Sequence, residues 1–129
     1  MLHIGIDADG TLASIQGHVT EETCAKLTEK GAKLWLVSKR DTHEESIALC
    51  KKYYLEQCPM LQGNDYVQIK INSLTGLILH HKIERLVYVG DRVDDITVAW
   101  GVGAIYCHPK ALDLNIFAVA ESRHVRAIF

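Results

Sequence analysis

A chain of 129 residues that is 48% hydrophobic and 23% charged has the size and balance of one globular domain, which excludes a disordered or fibrous chain. Its formal net charge of -2 excludes a global basic field that would collect nucleic acid by charge alone, so no nucleic-acid partner is indicated. No apolar run approaches the roughly 18 residues of a membrane span and no signal-like segment precedes Asp7, so the expectation is a soluble, cytoplasmic protein with no membrane partner.

Residues 2–7 alternate apolar with small or polar side chains and stop at Asp7, which predicts a strand with an acid at its carboxyl end. Thr20 followed by Glu21 and Glu22 starts a helix that Gly31 ends. Residues 32–37 (AKLWLV) form an almost wholly apolar strand ending at Ser38, as in a strand covered on both faces. Thr42 with Glu45 three residues on is a capping box, and Ile47, Cys50, Tyr54 and Cys58 carry its helix as far as Pro59.

Residues 66–71 (YVQIKI) alternate like a short strand, with Asn72 or Ser73 capping a third helix that runs to about His81. LVYV leads into Gly90-Asp91 as a buried strand. DDITVAW then reads as a short helix closed by Gly101, AIYC as a strand and ALDLNIFAVAES as a helix, while HVRAIF fits either an edge strand or a docked tail. Trp35 and Trp100 follow packing patterns and are expected in the core. Cys24, Cys50, Cys58 and Cys107 form no C-x-x-C pair and no zinc-like group with the histidines, so they are expected as reduced thiols.

Strands and helices alternating at such short intervals predict an α/β fold: a three-layer, Rossmann-like domain over 1–129, its mainly parallel sheet covered by helices on both faces. Sites in such sheets lie at the carboxyl ends of strands. Asp7, Ser38 and Asp91 fall there, with Asp9, Asp94 and Asp95 close behind.

Carboxylates gathered at one sheet edge repel. Two unit charges about 4 Å apart at an effective dielectric of about 20 cost about 4 kcal/mol. A divalent cation offsets that cost, and an all-oxygen cluster suits Mg²⁺. Gly10 allows a sharp turn with free backbone amides, Thr11 and Ser38 offer hydroxyls, and Lys70 or Lys82 offers a positive charge, which together describe a phosphate site. One aspartate then serves as nucleophile and its neighbour as acid and base.

Asp7-Ala8-Asp9-Gly10-Thr11-Leu12 resembles the D-x-D-G-T-[LV] signature of the haloacid dehalogenase superfamily of phosphotransferases. Ser38 is similar to that family's second-motif Ser/Thr, and Gly90-Asp91-Arg92-Val93-Asp94-Asp95 to its G-D-x-x-x-D fourth motif. The resemblance implies a Mg²⁺-dependent phosphatase. In it Asp7 attacks phosphorus to form an aspartyl-phosphate, and Asp9 protonates the leaving oxygen and then activates water. Gly10, Thr11, Ser38 and a lone lysine would hold the phosphoryl group, and Asp91 and Asp95 would bind Mg²⁺ together with Asp7 and the carbonyl oxygen of Asp9. Lys70 is favoured for the lysine over Lys82, which sits at a helix end beside His80 and His81. Asp94 stands behind Asp95, because an acid in a first helical turn is favourable on its own account. Arg92, Lys39 and Arg40 either contact substrate or are solvated.

Three rivals remain from other classes. A metal-dependent nuclease of PIN type also gathers acids at the ends of a parallel sheet. A phosphoacceptor signalling domain needs an aspartate at the end of the third strand, and YVQIKI offers none. A retired relative would bind phosphate or a partner without catalysis. The spacings between Asp9, Ser38 and Lys70 leave no room for the cap domain that many members of the family insert. An open, capless site implies either a large substrate with an accessible phosphate, or a homo-oligomer whose neighbouring subunit closes over a phosphorylated small molecule.

Overall fold

Alternation within the strands sets the layers. The computed structural model describes residues 1–129. In chain order it holds β1 (His3–Ile6), α1 (Glu21–Glu29), β2 (Lys33–Leu36), α2 (His43–Tyr53), β3 (Leu55–Gln57) and α3 (Tyr66–His81). These are followed by β4 (Leu86–Val89), α4 (Val93–Gly101), β5 (Ile105–Cys107), α5 (Ile116–Glu121) and β6 (Ala127–Ile128). Ile4, Ile6, Leu34, Leu36, Val87 and Val89 point to one face and pack under α1, α2 and α5 through Leu27, Tyr53 and Ile116. Trp35, Leu86, Tyr88 and Tyr106 point to the other and meet Leu74, Leu77 and Val98 of α3 and α4. Both faces are covered, which is why the strands read as apolar throughout.

All six strands are parallel, in the order β3-β2-β1-β4-β5-β6. Chain order reverses between β1 and β4, the switch point at which open α/β sheets form their ligand crevice. Ile6 pairs with Leu36 on one side and Val89 on the other, so the next residues, Asp7, Val37 and Gly90, emerge level at the carboxyl edge.

Several expectations need correction. YVQIKI is the start of α3 and contains no strand. Asp65 is the cap, accepting the Gln68 amide at 2.9 Å, whereas Asn72 and Ser73 lie inside the helix and Ser73 donates back to the Ile69 carbonyl. Six alternating residues fit either period, and packing decides: Lys70, Ser73, Leu74 and Leu77 form one buried helical stripe. Lys70 is therefore a helix residue, where the sequence placed it at a strand end.

The second helix stops at Tyr53, short of Pro59. Tyr54 takes a left-handed cap (φ 62) and releases Leu55–Gln57 to pair with β2 as an edge strand. The third strand is thus LEQ, and it too ends without an acid. The Thr42 hydroxyl caps α2 as expected, but the Glu45 carboxylate accepts from the Asp41 amide, so the box is only half formed. The helix expected over ALDLNIFAVAES is confined to Ile116–Glu121, after a 3-10 turn at Pro109–Ala111. The tail is an edge strand, Ala127 and Ile128 pairing with β5. Trp35 is buried, but Trp100 is 43% exposed and donates to the Arg126 carbonyl. All four cysteines are free, and no helix is long and apolar enough to cross a membrane.

Asp65 sets where α3 begins, and so the phase in which Tyr66 and Lys70 meet the sheet. Asp65→Ala is expected to lower unfolding free energy by about 1 kcal/mol and Asp65→Asn to restore most of it, read from denaturant midpoints.

Candidate functional site at the carboxyl edge of the sheet

β1 delivers Asp7 to the sheet edge, 6% exposed, and the buried stripe of α3 delivers Lys70 opposite it, 4% exposed. The Lys70 ammonium lies 2.8 Å from Asp7 Oδ1 and also donates to the Val37 carbonyl. The other Asp7 oxygen accepts from the Tyr66 hydroxyl at 3.0 Å, and the same hydroxyl lies 2.8 Å from Asp95 Oδ1. Tyr88 reaches Asp95 Oδ1 at 3.2 Å from below, and the Arg92 amide donates to Asp95 Oδ2 at 3.0 Å. Lys82 is an exposed left-handed cap at the far end of α3, away from the site.

One oxygen from each of Asp7, Asp91 and Asp95 can be chosen so that all three lie within 4.8 Å of one another. Two glycines permit this approach. Gly10 has φ +74, and a Cβ there would collide with the Asp91 carboxylate; a Cβ on Gly90 would collide with that of Asp95. Asp94 is outside the cluster and pairs with Arg92 at 3.1 Å. Arg92 itself stacks over the Tyr66 ring at 4.1 Å.

Asp9, one turn residue further out, is held by Arg40, whose terminal nitrogens reach its two oxygens at 2.9 and 3.2 Å. That hydrogen-bonded pairing keeps the Asp9 carboxyl below its ordinary range. Ser38 Oγ accepts from Arg40 at 3.3 Å. The turn does not free the amides of Gly10 and Thr11 as the sequence suggested: they donate to Ile15 and Ala8 carbonyls. The Thr11 hydroxyl is buried and unpartnered. Ala8 and Asp9 are the turn residues whose amides find no acceptor in the chain.

A basin of about 300 Å³ lies over Asp7, walled by Ser38, Lys39, Met60, Tyr66 and Arg92. Tyr66 and Tyr88 escaped the sequence reading. Once α3 starts at Asp65, Tyr66 and Lys70 are i and i+4 on one helix face. Tyr88 lies on the sheet face that α4 and Asp95 cover.

Charge does not balance within the cluster. Lys70 answers Asp7 and Arg40 answers Asp9, but Asp91 and Asp95 have no cationic partner. Burial, with the Asp7 charge added, pushes the Asp95 carboxyl above its ordinary value and raises the Tyr66 and Tyr88 hydroxyls as well. Two unanswered carboxylates and a wholly oxygen donor set fit a hard divalent cation. In its absence ionised Asp95 is destabilising. Because its pKa is raised, the folded chain binds the proton more readily than the unfolded one, so stability falls as pH rises above the ordinary 3.8. Asp95→Asn is expected to raise the thermal midpoint at neutral pH, with the gain vanishing in acid, as melts across pH would show.

No protein-family model matches the chain, and no curated protein matches it. Among solved structures it is similar to D,D-heptose 1,7-bisphosphate phosphatase from B. bronchiseptica, complexed with magnesium and phosphate. The TM-score is 0.60 at 14% identity, over 99% of this chain and 92% of that one. It is also similar to UDP-GlcNAc 2-epimerase from Neisseria meningitidis bound to UDP-GlcNAc, with TM-score 0.55 and 12% identity over 84% of this chain and 31% of that one. The chain thus shares the parallel α/β fold of that phosphatase, and its Asp7-Ala8-Asp9-Gly10-Thr11 and Gly90–Asp95 segments follow adjacent strand ends at the switch point.

Proposed function

We propose that the chain is a Mg²⁺-dependent phosphomonoester hydrolase that works through phosphorylated Asp7. The observation that carries this reading is the buried Asp7 carboxylate, fixed by Lys70 at the floor of a basin whose mouth holds Asp9 and Ser38. The solved phosphatase with magnesium and phosphate supports it through the shared fold.

In the first step an Asp7 oxygen forms a bond to phosphorus as the bond from phosphorus to the alcohol oxygen breaks, and Asp9, which must leave Arg40 to carry a proton, gives that oxygen its proton. In the second, Asp9 takes a proton from water, the water oxygen bonds to phosphorus, and the Asp7–phosphorus linkage breaks to release inorganic phosphate. Ser38 and Lys70 hold phosphoryl oxygens, joined by the unpaired amides at Ala8 and Asp9. Asp7, Asp91, Asp95 and the Asp9 carbonyl would hold the cation, which when bound supplies positive charge to the phosphoryl oxygens and to the acids around them. Lys70 meanwhile keeps Asp7 in one orientation, with an oxygen turned to the basin.

Release of phosphate from an aryl phosphate is expected to require Mg²⁺, to stop with chelator and to vanish in Asp7→Asn. Asp9→Asn is expected to lower kcat by about 10²–10⁴-fold. Phosphate release that persists in Asp7→Asn would overturn the covalent route.

A further inference from the structure

Beside the basin over Asp7 lies a second one of about 350 Å³, and the two share Lys39 and Met60 as walls. Its rim carries two cations, Lys39 and Arg40, and one acid, Asp41, with Thr42, His43 and Gln57 adding polar groups. Lys39 is exposed and enters no ion pair.

Arg40 differs from a solvated surface arginine. Its side chain is 15% exposed, while the Asp9 carboxylate it holds is 70% exposed. Its Nε is buried and has no acceptor in the chain. A guanidinium sunk to this depth gives up hydration, and although its pairing with Asp9 outweighs that loss, one donor stays unsatisfied. Its fork is held at the seam between the basins by Asp9 on one side and Ser38 on the other. Forked recognition of this kind suits carboxylate and phosphate equally.

We propose that the second basin receives another anionic group of the same substrate, so that the preferred substrates are phosphomonoesters bearing a second phosphate or a carboxylate, selected by Lys39 and Arg40. The orientation rests on the phosphatase reading: the phosphoryl group to be cleaved lies over Asp7, and the second anion lies across Lys39. A neutral alcohol in that position leaves the Lys39 charge unmatched, whereas an anion answers it. The cleaved bond and its chemistry are unchanged.

Two matched pairs test it in initial-rate kinetics at low salt: fructose 1,6-bisphosphate against fructose 6-phosphate, and 3-phosphoglycerate against glycerol 3-phosphate. At least one doubly anionic compound is expected to exceed its partner about tenfold in kcat/KM, chiefly through KM, with the ratio shrinking in high salt. The first pair reports a phosphate-binding subsite and the second a carboxylate-binding one. Lys39→Met and Arg40→Met are each expected to bring the ratio to within about twofold. Equal kcat/KM within both pairs, or a preference that survives both substitutions, overturns the inference. Calorimetry on Asp7→Asn with the same four compounds separates this from the phosphatase reading. Tighter binding of the doubly anionic partner, lost when Lys39→Met is added, supports the subsite even if no ester is hydrolysed, and equal or absent binding overturns it.

Discussion

The buried ion pair between Asp7 and Lys70 is the contact around which the site is organised. Both groups are almost wholly removed from water, and desolvating two charges costs several kcal/mol per ion unless their remaining hydrogen bonds are met. Here they are met: the Val37 carbonyl accepts from Lys70, and Tyr66 donates to the free oxygen of Asp7. The pair requires β1 and α3 to be held in fixed relation. The sheet register supplies one half of that requirement, and the Leu74 and Leu77 stripe of α3 supplies the other.

Crowding of like charge follows from the same geometry. Three strands end level, and two of them are followed at once by acid-bearing turns. Gly10 and Gly90 remove the Cβ atoms that would keep Asp91 and Asp95 away. The result is an excess of negative charge that hydrogen bonds from tyrosines and a backbone amide soften without neutralising. A site of this kind is strained by electrostatics in the cation-free state, and a hard cation would relieve that strain.

The open side of the sheet edge is shaped differently. Lys39 and Arg40 follow Ser38 directly, so the loop that ends β2 brings both a hydroxyl to the basin over Asp7 and cations to its neighbour. With no inserted domain over the basin, its walls come from the strand-end loops and α3. On the phosphatase reading proposed above, that places selectivity in charge more than in shape.

Local sequence determined a good deal. The strand ending at Asp7 and the apolar strands before Ser38 and Gly90 were legible because each depends on residues within a few positions. The start of α3 was not, since YVQIKI satisfies the period of a strand and of a helix alike, and only burial against Trp35 and Tyr88 selects one. Nor was β3, because three residues carry too little pattern to outweigh the helix before them. Tertiary structure alone decided that Lys70 faces Asp7, that Tyr66 lies between two carboxylates, and that Arg40 holds Asp9 across 31 residues of chain. Those contacts depend on helix phase and strand register, which long-range packing fixes and no local stretch of sequence encodes.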